Sequence, residues 1–380
     1  MRFELSEEHE SFRKVVRGFA EDEIGPHAAA WDASGEFPIA AVQKMGELGL
    51  FALPFPEDVG GMGGDFTSLC VAIEEVGRVD QSMGITLEAG VGLGINPIYT
   101  FGSDDQKNAY LPDLMTGTAL AGFGLTEAEA GSDAGATRTR AQLDGEEWVI
   151  NGSKAFITNA GTDITSVVTI TARTGDNEIS SIIVPAGTEG FTVEPAYKKM
   201  GWRASDTRGL VFEDCRVPAA NMLGTRGRGF HQFLAILDDG RIAIAALALG
   251  LAQACLEMSV DYAKSRETFG RPIGANQGIA FQCADLQVMV DAARMLTYRA
   301  AALKDAGRPI KQAAAVAKLY ATEAAVSATR ILAQVYGGAG FIESSPVARM
   351  YRDAKILEIG EGTSEIQRLV ISRGLGLPVM

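Results

Sequence analysis

One block of sequence rules out a purely helical protein. From Thr137, the segment TRTRAQLDGEEWVINGSKAFITNA holds Asp144-Gly145 and Asn151-Gly152, the two strongest tight-hairpin dipeptides, between strand-like runs. SVVTITAR, ISSIIVPA and GLVFEDCRVP carry the strand character on to Pro218. On both sides the period is helical. SEEHESFRKVVRGFAEDEI opens on Ser6, and Phe12, Val15, Val16 and Phe19 follow at helical spacing. A second helix is predicted over Phe66 to Gly77, and DQKNAYLPDLMTG reads as two short helical pieces broken at Pro112. After the strands, long helices are predicted over about 230–265, 279–306 and 311–336. A fourth is expected from Ser364, where Ser364-x-x-Gln367 reads as a capping box. The order is therefore α, then an antiparallel β domain, then an antiparallel helical bundle. The expected boundaries are 1–120, 121–228 and 229–380.

The 380 residues carry a net charge of −14, a poor basis for holding nucleic acid or an anionic membrane. No run resembles a signal peptide, so a cytoplasmic location is expected. The most apolar stretch, Ile242 to Leu256, is Ala-rich and reads as a buried helix, not a membrane span. The four cysteines lack CxxC spacing and the three histidines lie far apart, so neither a disulfide framework nor a metal site is expected. There is no GxGxxG after a strand, no P-loop and no G-x-S-x-G elbow. GVGLG, Gly90 to Gly94, falls in a helical context and reads as close helix packing.

Four polar stretches remain. FGLTEAEAGSDAG (Phe123 to Gly135) offers hydroxyls and backbone N–H groups where the helices meet the β domain. KAFITN offers the face of Phe156 and the hydroxyl of Thr158. SRETFGRPI places Arg266 and Thr268 near a turn between bundle helices. LEIGEGTSEIQR sets Glu361 between two glycines ahead of a helix start. Alone, that acid reads as a solvated glutamate favoured by the positive helix end.

Together these stretches resemble the acyl-CoA dehydrogenase family. LTEAEAGSDAG, NGSKAFITN, ASDTR, GRGF, LDDGRI, RETFGRPI, QVYGGAGF and YRDAKILEIGEGTSEIQR occur in the family's order over nearly the whole chain, most like its short- to medium-chain branch. The resemblance implies an α+β multidomain fold: an N-terminal helical domain, a central antiparallel β-barrel and a C-terminal four-helix bundle. It implies FAD held without a Rossmann fold. Phe123, Leu125, Thr126, Gly131 and Ser132 would line the ring and ribityl chain, with Phe156, Ile157 and Thr158 opposite. Arg266, Thr268, Phe269, Gln277, Gln334, Val335, Gly337 and Gly338 would hold the pyrophosphate and adenosine, partly from a neighbouring subunit. Thr363, Ser364 and Glu365 would also touch FAD.

The implied reaction is α,β-dehydrogenation of a short- to medium-chain or branched acyl-CoA. Glu361 would be the base, and Ser132, Asp238, Gly240, Arg241 and Gly362 would lie at the substrate. The implied partners are an electron-transfer flavoprotein and further copies in a homotetramer, a dimer of dimers. An oxygen-using acyl-CoA oxidase and a non-catalytic, flavin-retaining DNA binder are the alternatives; the net charge and a retained Glu361 count against the second. Two departures stand out. Ala128-Glu129 replaces a frequent Pro-Gly, and Phe156 replaces a frequent Trp. Glu88 lies in an apolar helix that could border the pocket's far end; its plainer reading is a hydrogen-bonded helix residue. A glutaryl-type substrate would require a cation in Val79 to Leu93, which offers none.

Overall fold

The computed structural model describes residues 4–379. Seven α-helices come first: α1 (Glu7–Phe19), α2 (Ala28–Ser34), α3 (Ile39–Glu47), α4 (Phe66–Val79), α5 (Gln81–Glu88), α6 (Asn96–Phe101) and α7 (Asp104–Met115). Ser6 starts α1 by accepting the His9 N–H at 3.2 Å. Helix α7 is one helix, not the two pieces expected. Ser103 and Gln106 close a capping box at its start, and Pro112 falls one turn from its end, where few backbone bonds remain to be lost. The GVGLG run is not an ordinary helix: Ala89–Ile95 is π-helical and continues α5 with a wider turn.

The central sheet has eight strands: β1 (Leu120–Gly124), β2 (Arg140–Asp144), β3 (Glu147–Thr158), β4 (Thr165–Gly175), β5 (Glu178–Pro185), β6 (Phe191–Val193), β7 (Thr207–Pro218) and β8 (Met222–Leu223). Their order is β6-β7-β3-β2-β4-β5-β8, with β1 running parallel to β4. The expected antiparallel barrel is thus an open, mixed sheet among the described residues, ending in β6 and β8. The end strands β6 and β8 are three and two residues long and do not pair with each other, and the first bundle helix packs on β5, where the Ser181 hydroxyl donates to Gln232 at 3.1 Å. Asp144-Gly145 turns the β2–β3 hairpin, with Gly145 at φ +63°. Asn151-Gly152 does not turn. It lies inside β3 as a bulge, with Gly152 at φ +144° and its ideal Cβ 2.7 Å from the Thr139 backbone.

The C-terminal helices are α8 (Gly229–Ser265), α9 (Gln277–Asp305), α10 (Lys311–Tyr336), α11 (Pro346–Ala354) and α12 (Ser364–Gly374). Alanine lines the buried faces of α8 and α10, so their backbones pack closely. Helix α8 is long and apolar enough to cross a membrane by composition, but its apolar stretch is mostly buried inside the protein. It packs on α4 and on the bundle, which explains why Ile242 to Leu256 is apolar nearly all round. The sheet has its own core around Trp148, Ile170 and Phe212. A small third cluster of Phe123, Leu125, Phe233 and Ile236 joins β1 to α8, close to the candidate site.

Candidate active site

The loop before α12 presents Glu361. Its backbone is left-handed, with φ +51°, and Gly362 follows at φ +92°. The Thr363 hydroxyl caps α12 by accepting the Ile366 N–H at 3.3 Å, so the cap falls one residue before the expected Ser364. Gln367 reaches back instead, its Nε2 donating to the Gly362 carbonyl at 2.8 Å. Lys318 of α10 donates its Nζ to the same carbonyl at 2.8 Å. With that carbonyl pinned from two sides, the Glu361 N–H has no acceptor among the described residues. The residue is partly exposed, yet both carboxyl oxygens are sealed from solvent and meet no N–H or hydroxyl donor.

Gly240 of α8 is the wall facing this carboxyl. A Cβ there would overlap Glu361 Oε2, so glycine at this position makes room for the acid. Beside it, Arg241 is buried and ion-paired with Asp238, and its Nε is unpartnered. The Glu88 carboxyl also comes within hydrogen-bonding reach of Glu361. Burial raises the Glu361 carboxyl, while Glu88, Lys318 and Arg241 hold it down. Burial lowers the Lys318 ammonium to about 8, against the pull of Glu361.

The candidate flavin stretches meet at one backbone bond, from the Ala155 N–H to the Thr126 carbonyl at 2.9 Å. Phe156 is 63% exposed at φ +62°, and the Tyr197 ring stands 5.3 Å away. Thr126 and Thr158 are half-buried, and Gly131 and Ser132 are exposed. Phe123 stacks on Phe233 at 3.9 Å, and Leu125, Ile157 and Val335 are likewise buried in core clusters. These side chains are committed to packing, so their backbones are what remains for a ligand. Asn159 donates to the Thr86 carbonyl at 3.2 Å, tying this strand to the helix that carries Glu88. At the start of α12, Glu365 is exposed and the Ser364 hydroxyl is buried without a partner.

The remaining candidates gather elsewhere. Arg266, Thr268 and Phe269 form a small hairpin between α8 and α9, with strands β9 (Glu267–Thr268) and β10 (Arg271–Pro272). Phe269 is 101% exposed at its tip, and Gln277 opens α9. Gln334 and Gly337 line a groove of about 680 Å³ with Gln282, Arg330, Phe341 and Tyr351; Gly338 is exposed beside it. Gly240 and the end of α8 are 25 residues apart, roughly 38 Å at 1.5 Å per residue. The sequence-predicted residues therefore fall into two groups within one chain.

Sequence reasoning missed Lys318, Tyr197 and Gln367 as neighbours of these residues. Lys318 had a visible signal, a single cation amid the alanines of AAAVAKLYATEAA. Tyr197 had none.

Three family models cover the chain: the acyl-CoA dehydrogenase N-terminal domain matches residues 6–118, the middle domain 122–215 and the C-terminal domain 227–376. The protein belongs to the acyl-CoA dehydrogenase family and is an oxidoreductase. It is 52% identical to the probable acyl-CoA dehydrogenase YngJ of Bacillus subtilis, over 99% of this chain and 100% of that one. It is 46% identical to the short-chain specific acyl-CoA dehydrogenase of Clostridium acetobutylicum, over 98% and 99%. The butyryl-CoA dehydrogenase of Megasphaera elsdenii superposes with a TM-score of 0.96 at 40% identity, covering 99% of this chain and 100% of that one. A chain from the structure of an electron transferring flavoprotein of Acidaminococcus fermentans gives 0.96 at 41% identity, covering 99% of both.

Proposed function

We propose that the protein is an FAD-dependent acyl-CoA dehydrogenase for short acyl chains, with Glu361 as the base. The observation that carries the reading is the Glu361 carboxyl: buried, without an N–H or hydroxyl donor, and facing a glycine that leaves space beside it. Its carboxylate takes the α-proton. Its free N–H donates to the thioester oxygen, where negative charge grows as that proton leaves. Burial raises this carboxyl, and Glu88, Lys318 and Arg241 oppose that effect in favour of the ionised base. The names of the butyryl-CoA and short-chain relatives support a short acyl group.

The residues present fit a flavin. Phe156 offers an exposed ring face, Thr158 a half-buried hydroxyl, and Ser364 a buried hydroxyl still lacking a partner at a helix start. FAD, when bound, supplies the acceptor for the hydride that leaves the β-carbon. A five-carbon ribityl chain cannot join a ring beside Gly240 to phosphates at Arg266 of the same chain, roughly 38 Å away along α8. This distance supports a cofactor shared between subunits, as do exposed Phe269, Phe281 and Phe341. The assembly is a homotetramer, the form implied by the family. An electron-transfer flavoprotein is the acceptor, a reading supported by the Acidaminococcus neighbour.

The test is Glu361→Gln. The variant is expected to fold, stay yellow and bind butyryl-CoA. Anaerobic bleaching of its flavin by that substrate should slow by at least ~10²-fold in stopped flow. Near-normal bleaching means another group is the base.

A further inference from the structure

Glu88 differs from the other buried acids of the helical region. Glu74 meets Arg13 and Arg294, Glu75 meets Arg13, Arg17 and Arg78, and Asp80 meets Arg349. Asp239 meets Lys304. Glu88 is 0% exposed, and neither carboxyl oxygen has a donor or a cation among the described residues. The Glu361 carboxyl lies within hydrogen-bonding reach of it. The backbone is arranged around this acid. Glu88 ends α5, and the next seven residues are π-helical, a distortion frequent at functional sites. The wider turn brings Gly92 alongside, where an ideal Cβ would lie 3.2 Å from Glu88 Oε1. GVGLG is thus close packing in part only; one of its glycines flanks an acid.

Two buried carboxyls facing one another cannot both ionise, so a proton lies between them. The surrounding charges decide which one keeps it. Arg241, itself paired with Asp238, and Lys318 act on Glu361 from α8 and α10. On α5 itself the other acid, Asp80, caps the opposite end of the helix and is paired with Arg349 of α11. The anion therefore belongs on Glu361 and the proton on Glu88.

We propose that Glu88 is a positioning residue for the base: in the acyl-free pocket its neutral carboxyl donates an O–H to the Glu361 carboxylate, holding it ionised and fixing its direction. This rests on reading Glu361 as the base. Glu88 touches Glu361 and acts through it. A second carboxyl with no cation of its own is thereby turned from a liability into a hydrogen-bond donor.

The experiment compares Glu88→Gln, which keeps an N–H donor but cannot titrate, with Glu88→Leu, which has neither. The second-order rate constant for anaerobic flavin reduction by butyryl-CoA is followed against pH, since it reports the free enzyme. The acid limb should stay near wild type in Glu88→Gln and move up by about one pH unit or more in Glu88→Leu, as the base loses its donor. Identical limbs in all three proteins overturn the proposal, and so does a Gln variant shifted as far as Leu. Infrared difference spectra of the holoenzymes at neutral pH give a second readout that needs no turnover. The carbonyl band of a neutral carboxylic acid should be lost in Glu88→Gln and kept in Glu361→Gln; the reverse pattern, or no loss, overturns the assignment. These spectra stand even where Glu88→Leu does not fold. Fast reduction in Glu361→Gln would refute the base, yet the infrared result would still report where the proton lies.

Discussion

Glu361 occupies a left-handed backbone position that costs an L-residue roughly 1–2 kcal/mol, and the tertiary structure holds it there. Lys318 and Gln367 grip the next carbonyl, which leaves the side chain aimed at Gly240. If both positions face the same substrate carbon, a carboxyl can be moved from one to the other. The double variant Gly240→Glu, Glu361→Gly is expected to recover part of the flavin reduction rate lost in Glu361→Gly alone, with a changed chain-length preference. Stopped-flow reduction with a series of acyl-CoAs checks this; a folded, FAD- and ligand-binding double variant as inactive as the single one refutes it. Glu361 stood out in the sequence because glycines flank it and an ordered set of motifs surrounds it. Glu88 and Lys318 were visible only as lone charges in apolar or alanine-rich helices; that both serve Glu361 depends on α5, α10 and the α12 loop meeting in space, which no local pattern encodes.

The loop from Leu125 to Thr139 is fastened by a side chain. Glu127 accepts from Thr137, from the Arg138 and Thr139 N–H groups at 2.6 and 3.0 Å, and from Lys154 Nζ at 2.8 Å. Burial works against the Glu127 carboxylate, but Lys154 and these donors bring it down to about 2. Burial, against the pull of Glu127, brings the Lys154 ammonium down to about 8. Glu127→Gln leaves that ammonium buried without its counter-charge, so a loss of about 3–5 kcal/mol is expected in urea unfolding. The sign in pH follows from proton counting. Between about 2 and the usual carboxylate range the unfolded chain binds the extra proton, so the contribution of Glu127 is full above that range. The gap between wild type and variant should therefore narrow as pH falls through that window; a gap independent of pH contradicts the assignment. At this scale the sequence was a partial guide. Asp144-Gly145 turns as its local chemistry dictates, because the strands it joins pair with each other. Asn151-Gly152 carries the same local signal, but pairing with β7 and the approach of Thr139 hold β3 straight through it. The α12 cap was misplaced by one residue because Thr363 and Ser364 are both good caps and only the geometry chooses between them.

The helical, sheet and helical parts meet around Asp353. Its carboxylate accepts the Trp202 N–H at 2.7 Å, from the segment between β6 and β7. Asp80 lies close enough to repel it, and Arg349 attends to Asp80 at 3.2 Å. Burial, then Asp80, raises the Asp353 carboxyl to about 7. Here the folded protein holds the proton more tightly, so this group's contribution is largest below about 4 and declines as pH rises to about 7. Asp353→Asn keeps an acceptor for Trp202 and removes the titration. The variant should gain on wild type over that range, by up to a few kcal/mol, in melting curves taken at successive pH values; a constant difference would mean that Asp353 does not titrate there. The order of the three parts was legible because helical and strand periods do not mix along the chain. The openness of the sheet was not, since strand runs say nothing about whether the last strand meets the first or a helix takes its place. One further consequence belongs to the length of α8. Under the shared-cofactor reading, each chain supplies the Glu361 end of one catalytic centre and the Arg266 end of another. In a cell making some chains damaged at the Glu361 end and others at the Arg266 end, a pair with one of each would concentrate the two lesions in one centre and leave its neighbouring centre whole. Inheritance of such a double lesion would then follow the count of intact centres and not the count of intact chains.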